Sequence, residues 1–236
     1  MQEQLRKVIT IDGVASSGKT TVASTLAQKY NYALLDSGYV YRAFCWYLLD
    51  RNCVIEPRPV YLALQEFQAS ITDGGLVYID ETDATPHLHE PEITELVSLI
   101  GSAFFVRKHI REMQREYCDQ KEGKVVVTGR DVGRDVFPES QYKFFLTASP
   151  ETRAHRRFLQ LDKNGADVSY DSIFSSIKKR DMKDETRQVS PMGAAEDAVI
   201  IDTSELRADE VLEEVHRTIE RRRVCIEGSI SRGIEF

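Results

Sequence analysis

The sequence predicts an α/β fold: a five-stranded parallel sheet with helices on both faces and a small antiparallel β/α insertion. Three observations predict it. Five short apolar runs alternate with stretches of helical spacing, the pattern of βαβ units. The first run ends in a glycine-bounded turn that opens directly into a helix. Between about 57 and 96 the alternation gives way to prolines and to short β-type runs separated by turn residues. With 236 residues, 42% of them hydrophobic, the chain can bury a core as one domain carrying an insertion.

In order along the chain, residues 8–11 form the first strand candidate. Residues 20–30 follow as a helix, with Val22, Ala23, Leu26 and Ala27 on one face. A second strand at 32–35 ends in Asp36-Ser37-Gly38, and the next helix carries Tyr41, Phe44, Cys45, Leu48 and Leu49. Pro57 and Pro59 then break the pattern, and 60–69 reads as a helix. Short runs at 70–72, 76–79 and 84–88 read as antiparallel strands, with Asp73-Gly74-Gly75 as a hairpin turn. Two amphipathic helices at 91–103 and 106–118 lead to a strand at 124–128. A strand at 142–146, helices at 150–161 and 170–183, a strand at 198–201 and a helix at 208–223 complete the series. From Val224 the periodicity stops, which reads as a peripheral tail.

The formal net charge of −7 argues against attraction of the whole chain to nucleic acid or to a membrane surface. Cys45, Cys53, Cys118 and Cys225 lie far apart without a C-x-x-C pair, so reduced thiols are expected rather than a disulfide frame or a zinc site. His87, His89, His109, His155 and His216 show no ligand spacing and read as surface or satisfied side chains. Residues 1–7 lack the apolar centre of a signal peptide, and no run approaches the ~18 apolar residues of a membrane span. The expectation is a cytoplasmic protein, and nothing demands more than a monomer.

Gly13-Val14-Ala15-Ser16-Ser17-Gly18-Lys19-Thr20 fits G-x-x-x-x-G-K-[ST], the phosphate loop of P-loop proteins. Glycines let successive N–H groups curl toward phosphate oxygens, and the following helix adds its N-terminal partial charge. Lys19 is then expected at the β/γ-phosphates and Thr20 at Mg²⁺, with residues 13–21, Thr21 included, holding ATP. Asp36-Ser37-Gly38 and Gly129-Arg130-Asp131 follow predicted strands, so they fall on the ligand-binding edge of an open α/β sheet. Asp36 and Ser37 alone could equally cap the next helix. Arg153 and Arg157, one helical turn apart, and Arg180 and Arg187 are candidates to neutralise phosphate-bearing ligands. Arg156, Lys178 and Lys179 read as a solvated face.

These motifs together resemble the bacterial cytidylate kinases. The resemblance is carried by Ile11-Asp12-Gly13, Gly18-Lys19-Thr20-Thr21, Leu35-Asp36-Ser37-Gly38 with Tyr41-Arg42, Thr128-Gly129-Arg130-Asp131-Val132-Gly133 with Val136-Phe137-Pro138, and Arg180-Asp181, Asp184 and Arg187. It runs in order from about residue 7 to 215. It implies a P-loop NTPase core at 1–56 and 97–223, a nucleoside-monophosphate-binding insertion at 57–96, a short helical lid at about 153–165 and a tail at 224–236. It further implies that Ser37, Arg42, Arg130 and Arg187 hold the CMP phosphate, that Arg180 and Asp184 hold the ribose, and that Ser98, Arg107 and Asp131 read the base. Lys19, Arg130, Arg153 and Arg157 would be catalytic. Mg²⁺ would meet Thr20, with Asp36 reaching it through water. Gly133-Arg134-Asp135 departs from the family pattern, which has threonine or a small apolar residue where these charges stand. The activity implied is ATP-dependent phosphorylation of CMP and dCMP. The alternatives are another P-loop kinase, acting on UMP, AMP or dephospho-coenzyme A, or a nucleotide-dependent switch; the N-K-x-D stretch of guanine-binding switches is absent.

Overall fold

In the computed structural model, which describes residues 7–163, 165 and 168–230, β1 (Ile9–Gly13) leads through a loop into α1 (Lys19–Tyr30). β2 (Ala33–Asp36) runs straight into α2 (Ser37–Asp50). The inserted stretch is α3 (Pro57–Glu66), β3 (Ala69–Ile71), β4 (Val77–Ile79) and β5 (Thr82–Asp83). Then come α4 (Pro91–Ile100), α5 (Phe104–Gln120), β6 (Val125–Thr128) and β7 (Tyr142–Thr147). The remainder is α6 (Pro150–Lys163), α7 (Tyr170–Thr186), β8 (Val199–Asp202) and α8 (Ala208–Ile230).

The main sheet has the order β2-β6-β1-β7-β8, and all its pairings are parallel. β1 is buried along its whole length and sits in the middle, with Ile11 opposite Thr128 on one side and Phe144 on the other. Side chains alternate between the two faces of a strand, and the two apolar layers follow that alternation. Val125 and Val127 pack with Val40, Phe44, Leu48, Val106 and Ile110, from α2 and α5. Val126 points the other way, joining Leu26 of α1 and Val211, Val215 and Ile219 of α8. Each such fully buried aliphatic side chain contributes roughly 1.5–3 kcal/mol. Because the strands are parallel, the turns after β1, β2, β6 and β7 all open on one edge of the sheet.

The insertion forms its own antiparallel sheet, β3-β4-β5. The Asp73-Gly74-Gly75 turn is present, closed by Thr72 N–H donating to Leu76 O at 2.9 Å. The strand expected at 84–88 is not. Pro86 has no N–H to offer a ladder, and residues Thr85–His87 form a 3₁₀ turn whose start is held by Thr85 N–H on Asp83 Oδ1 at 2.9 Å. The third strand is Thr82–Asp83 instead.

Two further differences lie later in the chain. A π-helical turn, Val132–Val136, follows β6 where no element was expected. α8 continues to Ile230, so residues 224–230 are helix rather than an aperiodic tail, while residues 231–236 lie outside those described. α6 and α7 make a small apolar cluster of their own around Ala154, Ile173 and Ile177, separate from both main layers. Their connection, where the lid is expected to end, includes Asn164, Ala166 and Asp167, which lie outside the described residues. Among the described residues no helix is long and apolar enough to cross a membrane.

Candidate active site

At the C-terminal end of β1 the backbone turns sharply. Gly13 has φ 144°, and a Cβ there would stand 2.0 Å from Leu146 O, so this close approach to β7 admits only glycine. Gly18, at φ 92°, starts α1 without any side-chain cap. Four carbonyls of this segment are engaged. Gly13 O accepts from Arg130 Nη1 at 2.6 Å, and Val14 O from Lys19 Nζ at 2.5 Å. Ala15 O accepts from Arg153 Nη1 at 3.4 Å, and Ser17 O from Thr203 Oγ1 at 3.1 Å. The N–H groups of Ala15, Ser16, Ser17 and Gly18 donate to no group among the described residues. Carbonyls tied outward and amides left open is the polarity of an anion-binding loop.

Lys19 is buried, and burial depresses its pKa well below the usual lysine value, with the Arg130 charge acting in the same sense. Thr20 and Thr21 are exposed on the first turn of α1. Asp36 caps α2, accepting from Gly38 N–H at 2.9 Å, so its capping role is real. Ser37 is buried, and its hydroxyl accepts from Gln114 Nε2 at 2.9 Å. Gln114 is a partner the sequence reading missed. Its signal was a polar residue four positions after Ile110 on the buried face of α5.

Arginines converge on this edge, most of them already partnered. Arg42 is buried and donates to Leu88 O at 2.7 Å and Thr94 Oγ1 at 2.9 Å, joining α2 to α4 and to the stretch before it. Arg130 donates from Nε to Asp184 at 3.0 Å while its Nη1 holds the phosphate loop. Arg153 is buried, bonded to Asp181 at 2.6 Å and to Ala148 O at 2.9 Å, so it ties α6 to α7 and to the loop. Arg157 donates to Gln160 Oε1 at 2.8 Å, its one hydrogen bond among the described residues. Arg180 keeps solvent contact, yet its pKa is pushed down to about 10, first by desolvation and then by the Arg130 charge, with Arg42 adding. Arg156 does not lie on a solvated face: it donates to Thr203 Oγ1 at 2.9 Å and also to the Thr203 and Leu206 carbonyls. Thr203 in turn bonds Ser17 O, so Arg156 buttresses the phosphate loop from behind.

Asp131 lies between two arginines. It is buried, accepts a short hydrogen bond from Arg107 and lies 3.2 Å from Arg187 Nη2. Burial raises its pKa above the usual carboxylate value, and the two guanidinium charges oppose that rise. Tyr41 packs at 5.6 Å from the Arg107 guanidinium. Ser98 does not join this group by any direct contact; it is exposed on α4 and its hydroxyl turns back to Thr94 O at 3.5 Å. His89, read as a surface side chain, is exposed and meets the Tyr39 hydroxyl at 3.2 Å.

Asp12 is a carboxylate set in an apolar strand, which is a signal in itself. It is buried and accepts from Val132 N–H at 2.9 Å and Gly133 N–H at 2.7 Å, which fastens the turn after Asp131 to the root of the phosphate loop. Burial, above the opposing backbone bonds, pushes its carboxyl up from 3.8 to about 7. The sign follows from linkage. Between those two values the folded protein holds a proton that the unfolded chain has lost, so stability falls as pH rises from about 4 to about 7 and is level above that. Denaturant unfolding of the wild type should show this decline, and Asp12→Asn should lack it. The asparagine leaves one N–H poorly paired at every pH, which offsets the curve without tilting it. Parallel profiles for the two proteins would refute the assignment.

Similarity to known proteins agrees with this geometry. A sequence profile described as cytidylate kinase matches residues 9–221. A cytidylate kinase of Carboxydothermus hydrogenoformans is 38% identical over 218 residues, 91% of this chain and 97% of its own length. Cytidylate kinases of Thermotoga neapolitana, 38% identical over 216 residues, and Streptococcus pneumoniae, 37% over 219, each cover 91% of this chain and 97% of their own. With a match across the sheet, the phosphate loop and the arginine-rich edge, the chain belongs to the cytidylate kinase family.

Proposed function

We propose that this chain, acting as a cytoplasmic monomer, transfers the γ-phosphoryl group of ATP to the phosphate of CMP and dCMP, yielding CDP and dCDP. The observation that carries the reading is the double attachment of the 129–131 segment. Arg130 is bonded to the phosphate loop, and the adjacent Asp131 sits between Arg107 and Arg187. One short turn thereby links the donor loop to a pocket with carboxylate and guanidinium groups. Such a pocket suits cytosine, whose amino group donates to a carboxylate and whose N3 and O2 accept from an arginine. Ser98, Arg107 and Asp131 are assigned to the base, Arg180 and Asp184 to the ribose, and Ser37, Arg42, Arg130 and Arg187 to the acceptor phosphate.

The acceptor oxygen belongs to a phosphate whose second pKa is about 6, so it is already anionic and needs no general base. Catalysis then consists of positioning and charge neutralisation. Residues 13–21 hold ATP through the open loop amides. Lys19 exchanges Val14 O for phosphate oxygens, and Arg153 and Arg157 approach from the lid at about 153–165. The insertion at 57–96 closes from the other side, excluding water that would otherwise take the phosphoryl group. Mg²⁺, bound with ATP, would neutralise phosphate charge. Among the described residues no group of three His, Cys, Asp or Glu side chains is placed to hold a metal ion by itself. The ion would be held largely by phosphate oxygens and water, with Thr20 as its protein contact and Asp36 reached through water.

Coupled measurement of ADP release with ATP and each of CMP, dCMP, UMP, AMP and dephospho-coenzyme A tests the reading. CMP and dCMP should exceed the others in kcat/KM by at least ~10-fold, the effect of one well-made hydrogen-bond discrimination. A preference for UMP or AMP would overturn it, and turnover of ATP indifferent to any acceptor would point to a nucleotide-dependent switch.

A further inference from the structure

We propose that Arg134 and Asp135 form a latch that positions Arg187 for acceptor binding, through the strap of residues 187–193. The inference rests on the acceptor role given above to Asp131 and Arg187. Arg187 differs from its counterpart Arg107 in its support. Arg107 stands on α5, whereas Arg187 lies just past the end of α7, where the chain runs without regular structure to β8. Something other than a helix must therefore fix its direction.

The contacts identify what does. Arg187 donates from Nε to the carbonyl of Ser190, which curls the strap back on itself. Ser190 is held at φ 50°, a left-handed conformation that persists in a non-glycine residue only where neighbours enforce it. Those neighbours are the latch. Arg134 donates to Pro191 O, the Asp135 carboxylate takes a hydrogen bond from the Ser190 side chain, and Arg134 Nε grips Asp135 at 3.1 Å. Gly193 leaves room for this: a Cβ there would lie 3.0 Å from Arg134 Nη1. The far side of the strap is pinned by Met192 N–H on Asp184 O at 2.7 Å.

The geometry closes on itself. Asp131 and the latch belong to one segment, 131–135, and Arg187 and the latch's targets belong to one strap. Holding the strap fixes the 3.2 Å approach of Arg187 to Asp131, while the hydrogen bonds of Arg134 among the described residues go to Asp135 and Pro191. Ordering a few residues in advance removes a cost that a ligand would otherwise bear on binding. Arg134 is thus a positioning residue. Its loss should act on acceptor affinity and spare the ATP side, which is built from other elements.

The test uses Arg134→Ala, Arg187→Ala and the double variant of the full chain. Arg134→Ala should raise KM for CMP about 5- to 20-fold, with kcat and KM for ATP changed less than about 2-fold. In the Arg187→Ala background the same substitution should add less than about 2-fold, because its effect runs through Arg187. Hydrogen exchange of residues 187–193, measured without nucleotide, should quicken in Arg134→Ala. Unchanged exchange overturns the latch, whatever the substrate. Faster exchange with an unchanged KM for CMP, with multiplying effects in the double variant or with an equal rise in KM for ATP overturns the positioning role. A wild-type enzyme inactive on CMP overturns the acceptor reading itself, and this proposal with it.

Discussion

Replacing Lys19 by alanine is expected to lower kcat by at least ~10²-fold, if the ammonium supplies about 3 kcal/mol at the transition state. The unliganded protein should tolerate the change. Lys19 is buried near Arg130, its charge is disfavoured by that burial, and its acceptors among the described residues are Val14 O at 2.5 Å and Ser17 Oγ at 3.4 Å. Removing a buried charge of this kind relieves desolvation and like-charge repulsion, while leaving one loop carbonyl to water. The thermal midpoint of Lys19→Ala should therefore stay within a few degrees of wild type. A large loss of kcat at unchanged stability assigns the lysine to the reacting phosphates. Near-normal turnover would remove it from that role, and collapse of the fold would make it a structural residue.

The same crowding extends across the cleft. Lys19, Arg42, Arg180 and Arg187 all have their charged forms disfavoured, with burial the leading cause in each. Arg130 adds repulsion to the first three. A protein of net charge −7 that gathers its cations this way concentrates positive potential at one sheet edge. On the function proposed above, two ligands carrying phosphate groups supply the missing counter-charge.

The parts legible in the sequence are those set by local chemistry. Val125-Val126-Val127 reads as a strand buried on both faces because each residue is apolar, and the sheet buries it so. Gly13 and Gly18 announce a loop because positive φ and close approach favour glycine, and both conditions are met. The arginine partners were not legible. Arg153 meets Asp181 at a separation of 28 residues and Arg156 meets Thr203 at 47, contacts decided by how α6 packs on α7 and β8. Helical spacing alone gave Arg156 a solvated face, since an exposed arginine and one that caps a distant turn look alike in one dimension. The misread strand at 84–88 has a local cause, Pro86, whose effect on a ladder could have been weighed. Arg134 was visible as an oddity, but its strap contacts lie 57 residues away.

Asp131→Asn carries the second large effect, on the choice of acceptor. The wild-type carboxylate is buried between Arg107 and Arg187, whose charges oppose its desolvation without cancelling it. An asparagine of the same shape removes the charge, and both guanidinium groups keep a neutral acceptor where they had an anion. Breaking one side of a buried, hydrogen-bonded charge set typically costs 2–5 kcal/mol, so kcat/KM for CMP should fall by roughly 10²- to 10³-fold, mainly through KM. UMP should lose far less. Its O4 faces repulsion from a carboxylate in the wild type, whereas the asparagine amide can turn its NH₂ toward that oxygen. The ratio of kcat/KM for CMP over UMP should therefore drop by at least ~10-fold, the equivalent of one hydrogen bond to a charged group. Parallel losses on both nucleotides would mean that Asp131 merely braces Arg107 and Arg187. A collapsed ratio with CMP most affected would mean that the carboxylate itself reads the amino group of cytosine.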